Sequence, residues 1–387
     1  MLKVGRGANA PPFIVMDVIA AANARAAALG PGDPRVIRME VGQPSTGAPG
    51  GAVEAAIAAM REGQTLGYTE AFGIRTLRER IARLYGERYR LALDPARVAV
   101  TMGASGAFPL AFLAAFDPGD RVALASPFYP PYVNILTALG LEPVIIEAGP
   151  ESRFQPTVAM LERLDPLPDG LIVASPCNPA GTMLHRDELA ALAAWCDGHG
   201  VRLISDEIYH GLTYAEAGTT AVSVSSSAVV INSFSKYWSM TGWRIGWMVL
   251  PDDLVRPVER LAQNLFISAP GIAQVAALAA MECGEELEAH VRRYAANRAL
   301  LLEALPKAGL ARLAPAEGAF YLYADVGHLT NDSAAFCARM LAEIGVAATP
   351  GVDFDRTRGA RTVRFSFCGA TEDMAEAANR LRQWLAA

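Results

Sequence analysis

Residues 171–210 read LIVASPCNPAGTMLHRDELAALAAWCDGHGVRLISDEIYH. The opening run Leu171–Ala174 is apolar without alternation, which suits a strand covered on both faces. In Arg186–His199, Leu189, Leu192, Ala193 and Cys196 fall on one stripe at helical spacing. A second short apolar run, Arg202–Ser205, follows. Strand, helix and strand in succession predict a parallel sheet of α/β type.

The same alternation extends outward from about residue 97 to 250. Arg97–Thr101, Arg121–Ala125, Pro143–Glu147, Val229–Asn232 and Ile245–Leu250 are further candidate strands. The expected architecture is therefore a mostly parallel seven-stranded sheet with helices on both faces. Downstream, Pro270–Leu305 keeps a helical period and stops near Pro306, which predicts one or two long helices. Phe320–Val326, Val346–Ala348 and Thr362–Phe367 read as strands, with helices at Ser333–Ile344 and Thr371–Leu385, a smaller α+β unit. The expected division is an N-terminal segment (1–45) packing on the small domain, a large domain (46–300) and a small C-terminal domain (301–387).

Composition bounds the function. Of 387 residues 52% are hydrophobic and 19% charged, enough for a real core. The net charge of −6, without a Lys/Arg block, argues against a nucleic-acid or anionic-membrane partner. Apolar runs are interrupted before they reach spanning length; Asn23 and Arg25 break the Ala-rich run at 20–28. Five cysteines (Cys177, Cys196, Cys283, Cys337, Cys368) form no C-x-x-C pair, and the N-terminus has no signal-like segment. A reducing cytoplasm is expected, and neither a zinc site nor a disulfide framework.

In an open parallel sheet, ligands sit beyond the carboxyl ends of the strands, and the polar interruptions cluster there. After Thr101 comes Met102-Gly103-Ala104-Ser105-Gly106, small residues opening a helix whose N–H groups suit a phosphate. The spacing is neither G-x-G-x-x-G nor G-x-S-x-G. After Ala174, two prolines and a glycine fix a loop that projects Asn178. Asp206 ends an apolar strand, where a charge demands a partner; a helix N-cap is its plainer reading. The following D-E-x-x-H lacks the first histidine of a zinc motif. In Asn232-Ser233-Phe234-Ser235-Lys236-Tyr237-Trp238, one lysine sits in an apolar, hydroxyl-rich setting, and Arg244 follows eight positions later. Desolvation there lowers a lysine pKa toward a nucleophilic amine.

The order of S-P-C-N-P-A-G-T, S-D-E-I-Y and S-F-S-K-x(7)-R-I-G resembles the class I/II aminotransferases, pyridoxal-phosphate enzymes of fold type I, over about Val41–Phe367. The resemblance implies that Lys236 links covalently to pyridoxal 5'-phosphate and later carries the proton. By the same likeness Asp206 partners the ring nitrogen, Asn178 and Tyr209 donate to the phenolate oxygen, and Tyr129 stacks on the ring. For the phosphate it implies Gly103, Ala104, Ser105, Ser233, Ser235 and Arg244, with Tyr68 reaching in from the partner of a homodimer with shared active sites. Arg364 would grip the substrate α-carboxylate, with Gly42 and Asn178 beside it. Lys236, Asp206 and Tyr209 are then the catalytic set.

The implied activity moves an amino group from an L-amino acid to a 2-oxo acid by a ping-pong mechanism. The alternatives are a carbon–sulfur β-lyase on the same scaffold and a non-catalytic PLP-sensing module; the latter would need a DNA-binding extension for which there is no room before Val41. The family's P-G-x-x-F rhythm is followed at Gly351–Phe354, but Asp355 stands where Gly is common. Ser105 occupies a position where some members selective for acidic substrates carry a lysine. Phe13, Ser105 and Asn264–Ser268 are the candidates for the distal end of the substrate, and neutral donors are expected. Arg25, Arg35 and Arg38 are further cations that could alter this. The histidines (His185, His199, His210, His290, His328) are assigned to surface and structure.

Overall fold

The computed structural model describes residues 2–386. Its strands are β1 (Ile37–Arg38), β2 (Val98–Thr101), β3 (Arg121–Ser126), β4 (Glu142–Glu147), β5 (Gly170–Ala174), β6 (Arg202–Asp206), β7 (Val229–Ser233), β8 (Gly246–Val249), β9 (Tyr321–Asp325), β10 (Val346–Ala347), β11 (Thr349–Pro350) and β12 (Thr362–Ser366). The helices are α1 (Ile14–Ala27), α2 (Gly50–Arg61), α3 (Arg75–Tyr89), α4 (Gly103–Ala115), α5 (Pro131–Ala138), α6 (Val158–Leu161), α7 (Arg186–His199), α8 (Asp252–Leu265), α9 (Gly271–Ala280), α10 (Gly284–Lys307), α11 (Ser333–Ile344) and α12 (Thr371–Ala386).

The large sheet has seven strands in the order β2-β8-β7-β6-β5-β3-β4. Neighbours from β7 to β4 pair parallel, whereas β8 runs antiparallel to both β7 and β2. Successive residues feed opposite faces, as the period of a strand requires. Leu203 and Val230 join one core with Ile81 of α3, Leu189 of α7 and Ala276 of α9. Ile204 and Ile231 join the other with Leu110 of α4, Leu136 of α5 and Val258 of α8. Helices on both faces explain why these strands carry unbroken apolar runs.

Local signals set the helix ends. Glu188 Oε2 accepts from the His185 N–H, 2.8 Å away, at the start of α7, and Gly200 closes the helix at φ +69. The expected long helical stretch is two helices, α9 and α10, and α10 carries Pro306 within its last turn. The expected strand at 346–348 divides at Ala348: β10 pairs parallel with β1, while β11 joins the antiparallel sheet β11-β12-β9. The N-terminal chain is thus tied by β1 to a strand near the C-terminus.

Candidate active site

Since β8 is antiparallel to both neighbours, β2 runs in the same direction as β3 to β7, and one sheet edge collects their carboxyl ends. Asn178 follows β5, Asp206 ends β6, Ser233 ends β7, and α4 starts just after β2. Arg244 lies at the same edge because it sits two residues before β8. A cavity of about 690 Å³ opens there, bounded by α1, the Val41–Gln43 strap and Tyr321 of β9.

The turn that presents Lys236 is locked from within. Ser233 Oγ accepts from the Ser235 N–H at 3.1 Å, bonds Ser235 Oγ at 3.0 Å and donates to the Ile245 carbonyl at 3.2 Å. Lys236 Nζ donates to the Gly42 carbonyl at 2.5 Å. Burial lowers the Lys236 pKa to about 8, with Arg364 also acting downward and Asp206 upward. Asp206 is 4% exposed. Its Oδ2 accepts from the Tyr132 hydroxyl and its Oδ1 from the Ile208 N–H at 3.0 Å. Burial pushes its pKa up to about 6, against those hydrogen bonds and the Lys236 charge. The carboxylate is therefore short of positive charge.

Arg364 of β12 is the opposite case. Its Nη1 donates to Asn178 Oδ1 at 2.7 Å; its Nη2 donates to the Glu40 carbonyl at 2.5 Å and to Thr349 Oγ1 at 3.2 Å. The guanidinium lies between the rings of Tyr321 and Phe354, at 4.4 and 4.7 Å from their centroids. Its Nε is buried without a partner. Because Arg only donates, Asn178 spends its oxygen on Arg364 and leaves its amide N–H groups to the cavity.

At the far end, Met102 supplies no side-chain cap to α4, so the helix's first N–H groups lack helical partners. Gly103 sits at φ +69 with Arg244 against it: a Cβ there would lie 2.8 Å from Arg244 Nη2. Arg244 Nη2 is 3.5 Å from Ser105 Oγ, and Ala104, Ser105, Ser233 and Ser235 line the same corner. N–H groups, hydroxyls and one guanidinium form an anion cradle. Tyr129 lines the cavity, edge-on to Phe13 at 5.6 Å. Tyr209 bonds the Tyr321 hydroxyl at 2.7 Å.

The cavity thus brings together the expected Gly42, Ala104, Ser105, Tyr129, Asn178, Asp206, Tyr209, Ser233, Ser235, Lys236, Arg244 and Arg364, with Gly103 just behind Arg244. Tyr68 does not line it and stands 85% exposed on the surface of this chain. Asn264–Ser268 also lies outside the lining. Arg35 pairs with Asp373, and Arg38 pairs with Glu40. His210 is buried between Tyr89 and the Ser175 carbonyl, and burial lowers its pKa to about 3.

Sequence reasoning missed Tyr132, Tyr321, Met16 and Ile19, all of which line the cavity. Only Tyr132 carried a usable signal, since it lies three residues after Tyr129, across the turn that opens α5. Among the described residues, no helix is long and apolar enough to cross a membrane, and no group of His, Cys, Asp and Glu is arranged to hold a metal ion.

The family model "Aminotransferase class I and II" matches residues 34–381. The valine–pyruvate aminotransferase of Mycobacterium tuberculosis is 50% identical over 387 residues, covering 99% of this chain and 98% of the relative. The aspartate aminotransferase of Thermotoga maritima is 34% identical over 357 residues, covering 90% and 91%. A crystal structure of an aminotransferase from Mycobacterium tuberculosis superposes with a TM-score of 0.96 at 50% identity, covering both chains fully.

Proposed function

This chain belongs to the class I and II aminotransferases, and on that premise we propose that its cavity holds pyridoxal 5'-phosphate and accepts a neutral, apolar amino acid. It is a transaminase, working between amino and 2-oxo acids. The cofactor reading is supported by residues that are incomplete without a partner. Asp206 is a buried carboxylate that forms no ion pair among the described residues, and a protonated ring nitrogen would supply one. The uncapped start of α4, with Ser105, Ser233, Ser235 and Arg244, suits a phosphate dianion. Asn178 and Tyr209 would donate to the phenolate oxygen, Tyr129 would cover the ring, and Lys236 would be the point of attachment.

When bound, pyridoxal phosphate supplies an electron sink for negative charge at the substrate Cα. The protein does the rest. Arg364, held by two aromatic rings and three acceptors, grips the α-carboxylate and orients Cα. Lys236 Nζ, made less basic by burial, removes and returns the Cα proton. Asp206 keeps its charge at the ring nitrogen, and the Val41–Gln43 strap and α1 border the cavity on its outer side.

The observation that carries the substrate reading is the charge of the lining. Among the described lining residues only Lys236, Arg244 and Arg364 are cations, and each already has a role. A second substrate carboxylate would meet the apolar Phe13, Met16 and Ile19, with no cation there to pair it. A donor such as valine, with pyruvate as acceptor, fits that wall and agrees with the Mycobacterium tuberculosis relative.

A homodimer is part of the same proposal. Tyr68 (85% exposed), Leu265 (51%) and Ile267 (48%) sit on one surface, joined by the Thr69 N–H to Ser268 Oγ contact of 3.3 Å. A twofold partner would cover them and bring Tyr68 to the other subunit's phosphate corner. The three-part division at 45 and 300 and a cytoplasmic setting, where five free cysteines persist, complete the reading.

The test is borohydride reduction with peptide mapping, then kcat/KM for valine, alanine, methionine, phenylalanine and aspartate with pyruvate and 2-oxoglutarate. A pyridoxyl group on Lys236 and aspartate at least tenfold below valine, about 1.4 kcal/mol, are expected. Label elsewhere or an aspartate preference would reject the respective half; pyruvate released from an amino acid without any acceptor would point to elimination instead.

A further inference from the structure

Tyr321 belongs to no motif, yet three separate contacts of the site converge on it. Its hydroxyl is 2.7 Å from the Tyr209 hydroxyl. Its ring centroid lies 4.4 Å from the Arg364 guanidinium carbon. A Cβ on Gly42 would fall 1.9 Å from its phenolic oxygen, so the strap's backbone rests directly on that hydroxyl. Register explains the placement. Arg364 pairs with Tyr323 across β12 and β9, and Tyr321, two residues along, shares the same face. At 1% exposure the side chain is fixed by its surroundings.

We propose that Tyr321 is a positioning residue for both partners at once: its hydroxyl donates to the Tyr209 oxygen, turning Tyr209's own proton toward the cavity, while its ring holds the Arg364 guanidinium in place. This rests on the reading of the cavity as the pyridoxal-phosphate site given above.

Two phenols sharing one hydrogen bond must divide the roles of donor and acceptor. The Arg364 charge over the Tyr321 ring makes Tyr321 the better donor. Burial pushes Tyr321 up to about 12, while the neighbouring Arg364 and the bond to Tyr209 oppose that rise. Burial pushes Tyr209 up as well, and the same bond raises it further. With Tyr209 as acceptor, its single O–H remains for an anionic oxygen in the cavity. With the roles reversed, Tyr209 would face that oxygen with a lone pair.

The two functions separate by substitution. Tyr321→Phe keeps the ring over Arg364 and removes only the donor; Tyr321→Leu removes both. A donor to an anionic oxygen favours the deprotonated form of the linked chromophore, so its weakening raises the chromophore's pKa.

In the holoenzyme, Tyr321→Phe is expected to move the visible-absorbance titration upward by about half to one pH unit. Its kcat should fall about five- to tenfold, with KM for valine within about twofold of wild type. Tyr321→Leu should in addition raise that KM about tenfold or more. An unchanged titration midpoint in Tyr321→Phe, or a KM rise as large in the Phe variant as in the Leu variant, overturns the assignment. A wild-type enzyme with no reducible chromophore on Lys236 overturns both this inference and the cofactor reading. A wild type with the chromophore but an indifferent Tyr321→Phe overturns this inference alone. The Phe variant changes no packing volume beyond one oxygen, so the test stands even if Tyr321→Leu fails to fold.

Discussion

The floor and the outer wall of the cavity are built in different ways. Floor residues sit at strand ends of the large sheet: Asp206 ends β6, Lys236 follows β7 in a turn closed by Ser233, and Asn178 is clamped by Arg364. The wall is one helix, α1, contributing Phe13, Met16 and Ile19, with Met16 still 57% exposed. That helix has no side-chain cap of its own. Asp353 holds it from the far end of the chain, accepting from the Ile14 and Val15 N–H groups at 2.9 and 3.1 Å. On the proposed reading, the chemistry stands on a scaffold fixed by packing, and the choice of substrate on a segment docked against it. Substitutions in the floor should reduce the chemical step for every substrate. Substitutions in the wall should redistribute activity among substrates.

Asp206→Ala gives the largest expected effect. The cofactor should still bind through Lys236 and the phosphate corner, while kcat falls by about a thousandfold, roughly 4 kcal/mol, for valine and aspartate alike. Single-turnover kinetics with both donors checks this. A loss restricted to one donor would place Asp206 in the wall's class and break the distinction.

The floor also has a stability signature in the cofactor-free protein. Burial holds the Asp206 pKa at about 6, above its ordinary value of 3.8. Between about pH 4 and 6 the folded chain keeps a proton that the unfolded chain has lost, so stability falls as pH rises through that window. Asp206→Asn lacks this titration. Relative to wild type, the variant's unfolding free energy should therefore rise by on the order of 2–3 kcal/mol from pH 4 to pH 6 and level off above. Urea unfolding of the two apo-proteins at matched pH measures it. A pH-independent difference would mean that Asp206 is already ionised at pH 4.

The same division explains what was legible in the sequence. The seven strands of the large sheet were visible because most are buried on both faces and carry short apolar runs between helical segments; the edge strand β4 keeps such a run, Pro143–Ile146, between exposed glutamates. The floor residues could be read as motifs because each lies within a few positions of a strand end. Tyr321 and Arg364 meet across paired strands and Met16 faces the cavity from a distant segment; no local pattern records either juxtaposition. The split of 346–350 between two sheets was hidden for a similar reason, since Ala348 looks like any strand residue. Asp355, noted as a departure from the family rhythm, is a buried carboxylate that accepts from the Thr357 and Arg358 N–H groups at 2.9 and 2.8 Å, so it closes its own turn.

For the wall, Met16→Arg adds a cation where the described lining has only apolar groups. Aspartate should gain about tenfold in kcat/KM relative to valine, roughly 1.4 kcal/mol, with little change in the chromophore's spectrum. A comparable gain for both donors, or a loss of the lysine-linked chromophore, would show that α1 reaches the floor after all.

The smallest effect is expected from Asp353→Ala, which changes no lining side chain and releases only the start of α1. Two backbone N–H groups lose their acceptor, and the helix loses a carboxylate at its positive end. The cost to global stability should be about 1 kcal/mol, in the range of an N-cap deletion. Function should report it in one parameter: KM for valine rises about threefold as the apolar wall loosens, while kcat at saturation stays within about twofold, because Lys236, Asp206 and Arg364 keep their partners. Asp353→Asn, which retains one acceptor oxygen, should recover part of the KM. Steady-state kinetics of the two variants beside their melting curves decides the point. A fall in kcat equal to the rise in KM would mean that α1 helps to orient Cα over Lys236, and the wall would then belong to the floor's machinery.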